Sequence, residues 1–353
     1  MAKNKVLAAL KPSRGMLILL VIFILLPFVV GLFNGASISQ VWMNASGQSK
    51  FIQGLFIEIF ILALYALSYD LILGFTGLLS FGHAMFFAVG AYLTGISLKI
   101  WGLSLWATVG LVILAGIAQA LLFSVVLPRV KGITYALVTL GMASVFYVLI
   151  LSSELGKYTG SDVGLQGVVI PEWISPAAHR ITLYFVALAV LVLFYALYKR
   201  FIDSPTGRVC TAIRENEGRA KMLGYNTFYF KLAALIISSI TAALAGTLHT
   251  IYQPIVSPTV AGLGYTVIAL LIILIGGVGT LSGAIVGAIV YRLLDFGLRR
   301  YLGEGASFVN GTIYVLIVLF LPYGIVGTYR IRSWNIQAGY ERLLRLFRDS
   351  KRA

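Results

Sequence analysis

The sequence is poor in cysteine, histidine and charged residues, and each shortage excludes a class of protein. Cys210 is the only cysteine among 353 residues, so no disulfide can form within the chain. Three histidines (His83, His179 and His249) are too few and too scattered to predict a metal site. Charged residues make up 11% of the chain, against about 25% in ordinary soluble domains. No polar domain is left for an enzyme, and we predict no catalytic residues.

The chain also lacks the phosphate-binding pattern GxxxxGK[ST]. The stretch Gly276–Thr280 carries three glycines but no lysine, and it lies between two apolar runs. We therefore expect no ATP hydrolysis and no cofactor on this chain. A transport or channel role is the class that remains.

Long apolar runs dominate what is present. Hydrophobic residues account for 59% of the chain and the mean hydropathy is +0.95. Ten runs are close to the length of about 20 residues that crosses a bilayer: residues 16–33, 51–73, 80–98, 105–127, 132–152, 181–198, 230–252, 264–276, 281–298 and 308–328. Because backbone groups in lipid must be paired within the segment, we predict an all-α polytopic membrane protein with about 10 transmembrane helices.

Acidic residues are scarce, at 12 against 27 lysines and arginines, for a net charge of +15. The basic residues lie at the ends of the apolar runs, which indicates membrane orientation and not nucleic-acid binding. With a cytoplasmic N-terminus, nineteen of them fall inside and six outside. We predict a basic cytoplasmic N-terminus (1–15), a transmembrane domain (16–328) with a cytoplasmic loop at 199–229, and a basic cytoplasmic tail (329–353). The tail is amphipathic, and we expect it to lie on anionic lipid, with partner docking as the alternative.

Two glycine-rich stretches interrupt the apolar runs, one at Gly74–His83 and one at Gly276–Gly283. Paired breaks in the two halves of a transporter indicate a substrate path, because unwound backbone can face a cavity. Glycines that merely let helices pack closely are the alternative. We predict that the following residues line the path: Thr76, Gly77, Ser80, Gly82, His83, Gly276, Gly277, Gly279 and Ser282.

Ionisable residues within the runs should face a cavity or a partner, because charge is costly in lipid. Arg292 and Asp295 are three residues apart and are expected to form a structural ion pair. Asp70 lies near the cytoplasmic end of its run and is expected to reach water. Glu58 is the deepest acidic residue, and His83 is either a path residue or a packing residue.

The loop at 199–229 predicts a short amphipathic helix from about Arg208 to Leu223, with Gly224 as its C-cap. Its apolar positions include Val209, Ile213 and Ala220, with charged residues between them. Such a helix on the cytoplasmic side could receive force from a separate motor. A solvated amphipathic loop is the alternative.

Two blocks of this sequence are specific: SFGHAMFFAVGAY, at Ser80–Tyr92, and AIRENEGRAKMLG, at Ala212–Gly224. These blocks resemble the LivM-type permease subunits of branched-chain amino-acid ABC transporters. The similarity also includes Lys131–Ala143, Thr159–Gly167 and Gly276–Ala288, so that it spans most of residues 50–330.

The resemblance implies an ABC importer permease fold in a bacterial inner membrane. It further implies a second homologous permease, two cytoplasmic ATPase subunits that carry ATP and Mg²⁺, and an extracytoplasmic substrate-binding protein. It places coupling to the ATPases on the loop helix, and the residues assigned are Arg208, Arg214, Glu215, Asn216, Glu217, Arg219 and Gly224. Gly218 and Arg219 stand where many ABC permeases have two alanines after the glutamate.

Other functions remain open from the sequence. Permeases for urea or short amides share nearly all these blocks. An ion-coupled secondary transporter would use Glu58, Asp70 or Asp295 for coupling and would work without partner subunits. A channel would conduct without coupling to ATP or to a gradient.

Overall fold

The computed structural model describes residues 14–35, 37–42 and 47–331. The predicted N-terminal segment 1–15 and the tail 329–353 lie largely outside these ranges. In the described ranges the α-helices are α1 Arg14–Phe33, α2 Ile38–Trp42, α3 Gln48–Asp70, α4 Ala84–Lys99, α5 Leu105–Ser124, α6 Ile133–Leu151, α7 Gly156–Thr159, α8 Arg180–Asp203, α9 Pro205–Met222, α10 Thr227–Tyr252, α11 Leu263–Gly276, α12 Ser282–Leu302, α13 Ala306–Phe320 and α14 Gly324–Ile331.

Short elements complete the described chain. A π-helical turn, Leu71–Phe75, extends α3, and 3₁₀ turns occupy Ser161–Val163, Glu172–Ile174, Pro258–Ala261 and Gly303–Gly305. Strands β1 (Leu165–Gln166) and β2 (Ile255–Val256) pair antiparallel, with Leu165 opposite Val256. The protein is therefore all-helical apart from one two-residue ladder in the described residues.

The prediction of about ten transmembrane helices is not confirmed. Six described segments are long and apolar enough to cross a membrane: Ser49–Phe75, Leu105–Ser124, Ile133–Leu151, Arg180–Asp203, Thr227–Tyr252 and Phe308–Tyr329. Ile18–Phe33, Ala84–Lys99 and Leu263–Gly276 are apolar but shorter than 18 residues. The predicted span at 281–298 is the helix α12, whose arginines and aspartate make it amphipathic and less apolar than the other nine predicted spans. The apolar pattern located the helices but not how many of them span.

The centre of the bundle is formed by α3 and α10. In the most apolar 18 residues of the segment that contains α3, 83% of the residues are buried, against 50% or less in each of the other five segments. α10 packs against α3, α4 and α5. Where α10 crosses α4, a β-carbon on Gly90 would lie 1.9 Å from the carbonyl oxygen of Ala243, and one on Gly246 would lie 2.1 Å from that of Phe87. These two glycines allow the backbones to touch, as the close-packing alternative expects.

The two central helices define two ends of the bundle. At the first end, which we call the α9 end, Asp70 of α3 and Thr227 of α10 lie beside the loop helix α9. At the other end, which we call the β end, Lys50 of α3 contacts Arg180, and α10 finishes at Tyr252, just before β2. With 26 residues, α10 extends about 39 Å between these ends.

Candidate functional site

The two glycine-rich breaks, separated by about 200 residues in sequence, meet at the α9 end. Asp70, the last residue of α3, accepts hydrogen bonds from the backbone N–H of Gly279 at 2.7 Å and of Leu281 at 3.2 Å. Asp70 is fully buried, so these amides replace the water that a carboxylate would otherwise bind. The expectation that Asp70 reaches water is wrong. We call Asp70, Gly74, Gly279 and Leu281, together with Arg214, the junction.

Backbone shape at the junction depends on these contacts. Gly279 has φ +73°, and Leu281 has φ +54°, a left-handed conformation that is costly for a residue with a side chain. The carboxylate of Asp70 holds the amides of both residues. A β-carbon on Gly279 would lie 2.9 Å from the carbonyl oxygen of Gly74, so the two breaks touch through their backbones. Glycine is therefore needed at Gly279 for conformation and for space.

Arg214 of α9 joins the loop helix to both breaks. One guanidinium nitrogen, Nη1, donates to the carbonyl oxygen of Gly74, and the charge of Arg214 attracts the carboxylate of Asp70. The other terminal nitrogen, Nη2, pairs with Glu215 Oε1 at 2.9 Å. At Gly77, where φ is +72°, a β-carbon would lie 3.2 Å from Arg214 Cα. A residue predicted for coupling thus contacts a break predicted for the path.

The second half of α9 is attached to α10. Asn216 has non-helical angles (φ −161°, ψ 100°) that divide α9 in two, and its Oδ1 accepts from Arg219 N at 2.9 Å, which caps the second half. Glu217 pairs with Lys231 at 2.8 Å and with Lys221 at 3.3 Å, and it accepts from the Thr227 hydroxyl at 2.9 Å. Burial raises the pKa of Glu217, but these partners outweigh it and lower the pKa to about 2.

The end of α9 carries an exposed apolar surface. The C-cap of the helix is Leu223, one residue before the predicted Gly224, and Gly224 follows it with φ +87°, the left-handed conformation that commonly ends helices. Leu223, whose spacing matches the buried face, is instead 72% exposed, and Met222 is 88% exposed. Tyr225 and Tyr229 are also exposed. Arg208 and Arg219 point into solvent on the same helix.

Of the residues predicted for the path, Gly279 belongs to the junction and His83 belongs to a buried aromatic cluster. His83 is fully buried, its Nε2 lies 2.8 Å from the Ser68 hydroxyl, and its ring contacts those of Tyr65 and Tyr69. Thr76 and Ser80 are also buried.

At the second break, Gly276 and Gly277 pack against Gly283 and the start of α14, and Ser282 begins α12. A β-carbon on Gly82 would clash with Thr139. Whether substrate passes these residues stays a prediction.

A second cluster of charges binds α3 to α12. Arg292 Nη1 pairs with Asp295 at 3.0 Å, which confirms the predicted ion pair. Arg292 also donates from Nε to Glu58 at 2.5 Å. Arg299 and Asn310 complete the coordination of Asp295. No described group of histidine, cysteine and carboxylate side chains could hold a metal ion.

Comparison with known proteins identifies relatives of this chain. Residues 51–321 match the family described as "Branched-chain amino acid transport system / permease component". The chain is 28% identical to the high-affinity branched-chain amino acid transport system permease protein LivM of Salmonella typhimurium, over 74% of this chain and 66% of that protein. It is 25% identical to the corresponding LivH of the same organism, over 75% of this chain and 91% of that protein. No solved structure matches the chain.

Proposed function

Because the chain belongs to the permease components of branched-chain amino acid transport systems, we propose that it is one permease subunit of an ATP-driven importer. It forms half of the route for a branched-chain or related amino acid. A second, homologous permease forms the other half, two ATPase subunits bind ATP and Mg²⁺, and an extracytoplasmic binding protein delivers substrate. The chain itself needs no cofactor. The names of the relatives LivM and LivH support both the substrate class and the pairing.

The orientation of this permease follows from its charges. Both termini and the α9 end face the cytoplasm of a bacterial inner membrane, where the excess of lysine and arginine favours them. The exposed apolar residues at the end of α9, above all Met222 and Leu223, then face the ATPase subunits. An exposed apolar patch beside charged residues suits a protein partner. The β end faces outward.

The observation that carries the coupling role is the bond from Arg214 to Gly74. Any displacement of the first half of α9 reaches the end of α3 through this guanidinium. Asp70 passes the displacement to the loop before α12 through its bonds to Gly279 and Leu281. The second half of α9 is held to α10 by Glu217 and Lys231. Closure of the ATPases on ATP therefore moves α9, and the two breaks rearrange together to alternate access.

Replacement of Arg214 tests this role. The complex is purified with its partners and reconstituted in proteoliposomes, and ATP hydrolysis and leucine uptake are both measured. Arg214→Gln should lower uptake at least tenfold while hydrolysis stays within about twofold, because the loss of a charged hydrogen bond costs about 1.5–3 kcal/mol. Arg200→Gln removes an exposed arginine of the same end and is the matched control.

Equal uptake by Arg214→Gln and Arg200→Gln would contradict the coupling role. Co-purification settles the partners in the same preparation: a chain that transports alone, and stops when the ion gradient collapses, would be a secondary transporter. Competition of leucine uptake by urea separates the amino-acid permease from the amide permease.

A further inference from the structure

An open cavity of about 670 Å³ lies at the β end, and none of the residues predicted for the path lines it. Its wall combines the segment before α8, the end of α10, the turn that follows β2 and the start of α11. Arg180, His249, Tyr252, Ile255, Val260 and Tyr265 are among the lining residues. Its volume is within the range of about 300–1,000 Å³ of small-molecule sites.

One side of the cavity is positively charged. Arg180 donates from Nε to the Pro176 carbonyl at 3.3 Å and from Nη1 to the Lys50 carbonyl at 3.2 Å, so two carbonyls hold the guanidinium in place. Within the described ranges no carboxylate lies within ion-pair distance of Arg180. Arg180 is also the first residue of α8, whose N-terminus no side chain caps. The guanidinium and the helix dipole both favour an anion here.

The other side of the cavity is aromatic and apolar. Tyr252 and Tyr265 present rings that can hold an ammonium group, while Ile255 and Val260 supply aliphatic surface. Tyr265 packs on Phe87 at a centroid distance of 4.6 Å and on Tyr65 at 5.4 Å. Tyr65 in turn stacks on His83. The cavity floor therefore rests on the aromatic cluster that contains a predicted path residue.

The break at Gly276–Gly283 offers no comparable site for an anion. A half-helix N-terminus can neutralise a substrate carboxylate, but Asp70 already accepts from the amides of Gly279 and Leu281. An incoming carboxylate would have to displace Asp70 from a buried position. Arg180 carries no such internal carboxylate.

We propose that the cavity at the β end is the outer binding site of this permease, where Arg180 holds the carboxylate of a small apolar amino acid. The ammonium group lies over the tyrosine rings, and the side chain lies against Ile255 and Val260. This assignment rests on the proposed transport function for the identity of the ligand. The charge selectivity of the cavity does not depend on that function.

Thiol labelling in whole cells tests the charge of the cavity. Thr259 is exposed and lines the cavity, so Thr259→Cys provides a target. The native Cys210 is buried, and burial raises its pKa to about 11, so it contributes little background. A membrane-impermeant anionic thiosulfonate should react faster than its cationic counterpart. Arg180→Gln should lower this ratio about fivefold, and Arg180→Lys should keep it. Val163→Cys, which is exposed outside the cavity, should show no effect of Arg180.

Protection by ligand tests the carboxylate contact. In the assembled complex, leucine at twice its dissociation constant should slow labelling of Thr259→Cys about threefold. 4-Methylpentanoate, which keeps the carboxylate, should protect, and isoamylamine, which lacks it, should not. Arg180→Lys should weaken protection because an ammonium cannot form the bidentate contact.

Equal labelling by the two reagents, or equal protection by isoamylamine and leucine, would overturn the inference. Both of these comparisons use Thr259→Cys with Arg180 intact, so they decide even if Arg180→Gln fails to accumulate. Leucine protection without ATP-dependent uptake would keep this site and overturn the proposed function. ATP-dependent uptake without leucine protection would support the proposed function and overturn the assignment of this site.

Discussion

Two carboxylates of α3 lie inside the bundle and have opposite kinds of partner. Asp70, at the α9 end, is held by two backbone amides of the loop before α12. Glu58, twelve positions earlier and towards the β end, is held by the side chain of Arg292. Arg292 in turn pairs with Asp295, a member of the same helix α12. One helix is therefore attached to α12 and its preceding loop in two places, by different chemistry.

The bonds of Asp70 fix the backbone conformation of the loop before α12, whereas the ion pair of Glu58 fixes the position of α12 against α3. Arginine side chains rotate, so the ion pair of Glu58 can survive a shift of α12 along α3. The amides of Gly279 and Leu281 converge on Asp70 only while both residues keep their left-handed angles. A rearrangement of this loop must break both bonds at once. We therefore expect Asp70 to control the conformation of the second break, and Glu58 to hold α3 against α12.

Neutral variants of the two carboxylates should have different effects. Asp70→Asn should lower leucine uptake per folded complex at least tenfold, because the amide group of asparagine can accept from only one of the two backbone donors and leaves the other unpaired. Glu58→Gln should lower the free energy of unfolding by about 1–2 kcal/mol, since both partners are partly exposed. Its uptake per folded complex should stay within about twofold.

The measurements are uptake in proteoliposomes and thermal unfolding of the purified complex. A double variant, Glu58→Gln with Arg292→Gln, removes both charges of the pair and should recover part of the lost stability, because Asp295 keeps its contacts with Arg299 and Asn310. If Glu58→Gln reduced uptake as much as Asp70→Asn without loss of stability, the two sites would not differ as argued. The ion-coupled transporter would then regain support.

A methyl group added at Gly279 should lower leucine uptake less than loss of the Asp70 charge. Gly279→Ala places a β-carbon 2.9 Å from the Gly74 carbonyl oxygen and strains a residue at φ +73°. A cost of about 1 kcal/mol is expected for the left-handed conformation, so uptake should fall about fivefold. Gly264→Ala is the control, because its β-carbon would meet no heavy atom within 4 Å. Equal effects of both changes on uptake would mean that the break tolerates a side chain.

Sequence patterns located the local features of this molecule. Apolar runs marked the helices, and glycine clusters marked both breaks. The amphipathic pattern of the loop at 199–229 predicts a helix start near Arg208, and the structure begins α9 three residues earlier, at Pro205, with Ser204 as its N-cap. The ion pair of Arg292 with Asp295 is predicted from their spacing of three positions on one helix. Each of these features depends on neighbours within a turn or two of the chain.

Contacts between distant segments could not be read from these patterns. Asp70 and Gly279 are 209 residues apart, and Glu58 and Arg292 are 234 apart. The expectation that Asp70 reaches water followed from its place at the end of an apolar run. The kink at Asn216 was missed because asparagine is tolerated within a helix, although it is also a preferred N-cap. The outer cavity draws its wall from separated segments, so no single motif marks it.

The smallest expected effect concerns Glu217, which ties α9 to α10. Its pKa of about 2 lies below the ordinary value of 4.5, so its pairing stabilises the folded state fully above pH 4.5 and is lost as the pH falls through 2. The free energy of unfolding of the parent should exceed that of Glu217→Gln by about 1 kcal/mol. This gap should stay constant from pH 8 to about pH 5 and narrow in more acidic buffer. Thermal unfolding across this range measures it, with the exposed Glu172→Gln as control. A gap that widened on acidification would mean that Glu217 is not held as an anion, and that Lys231 anchors α9 by another contact.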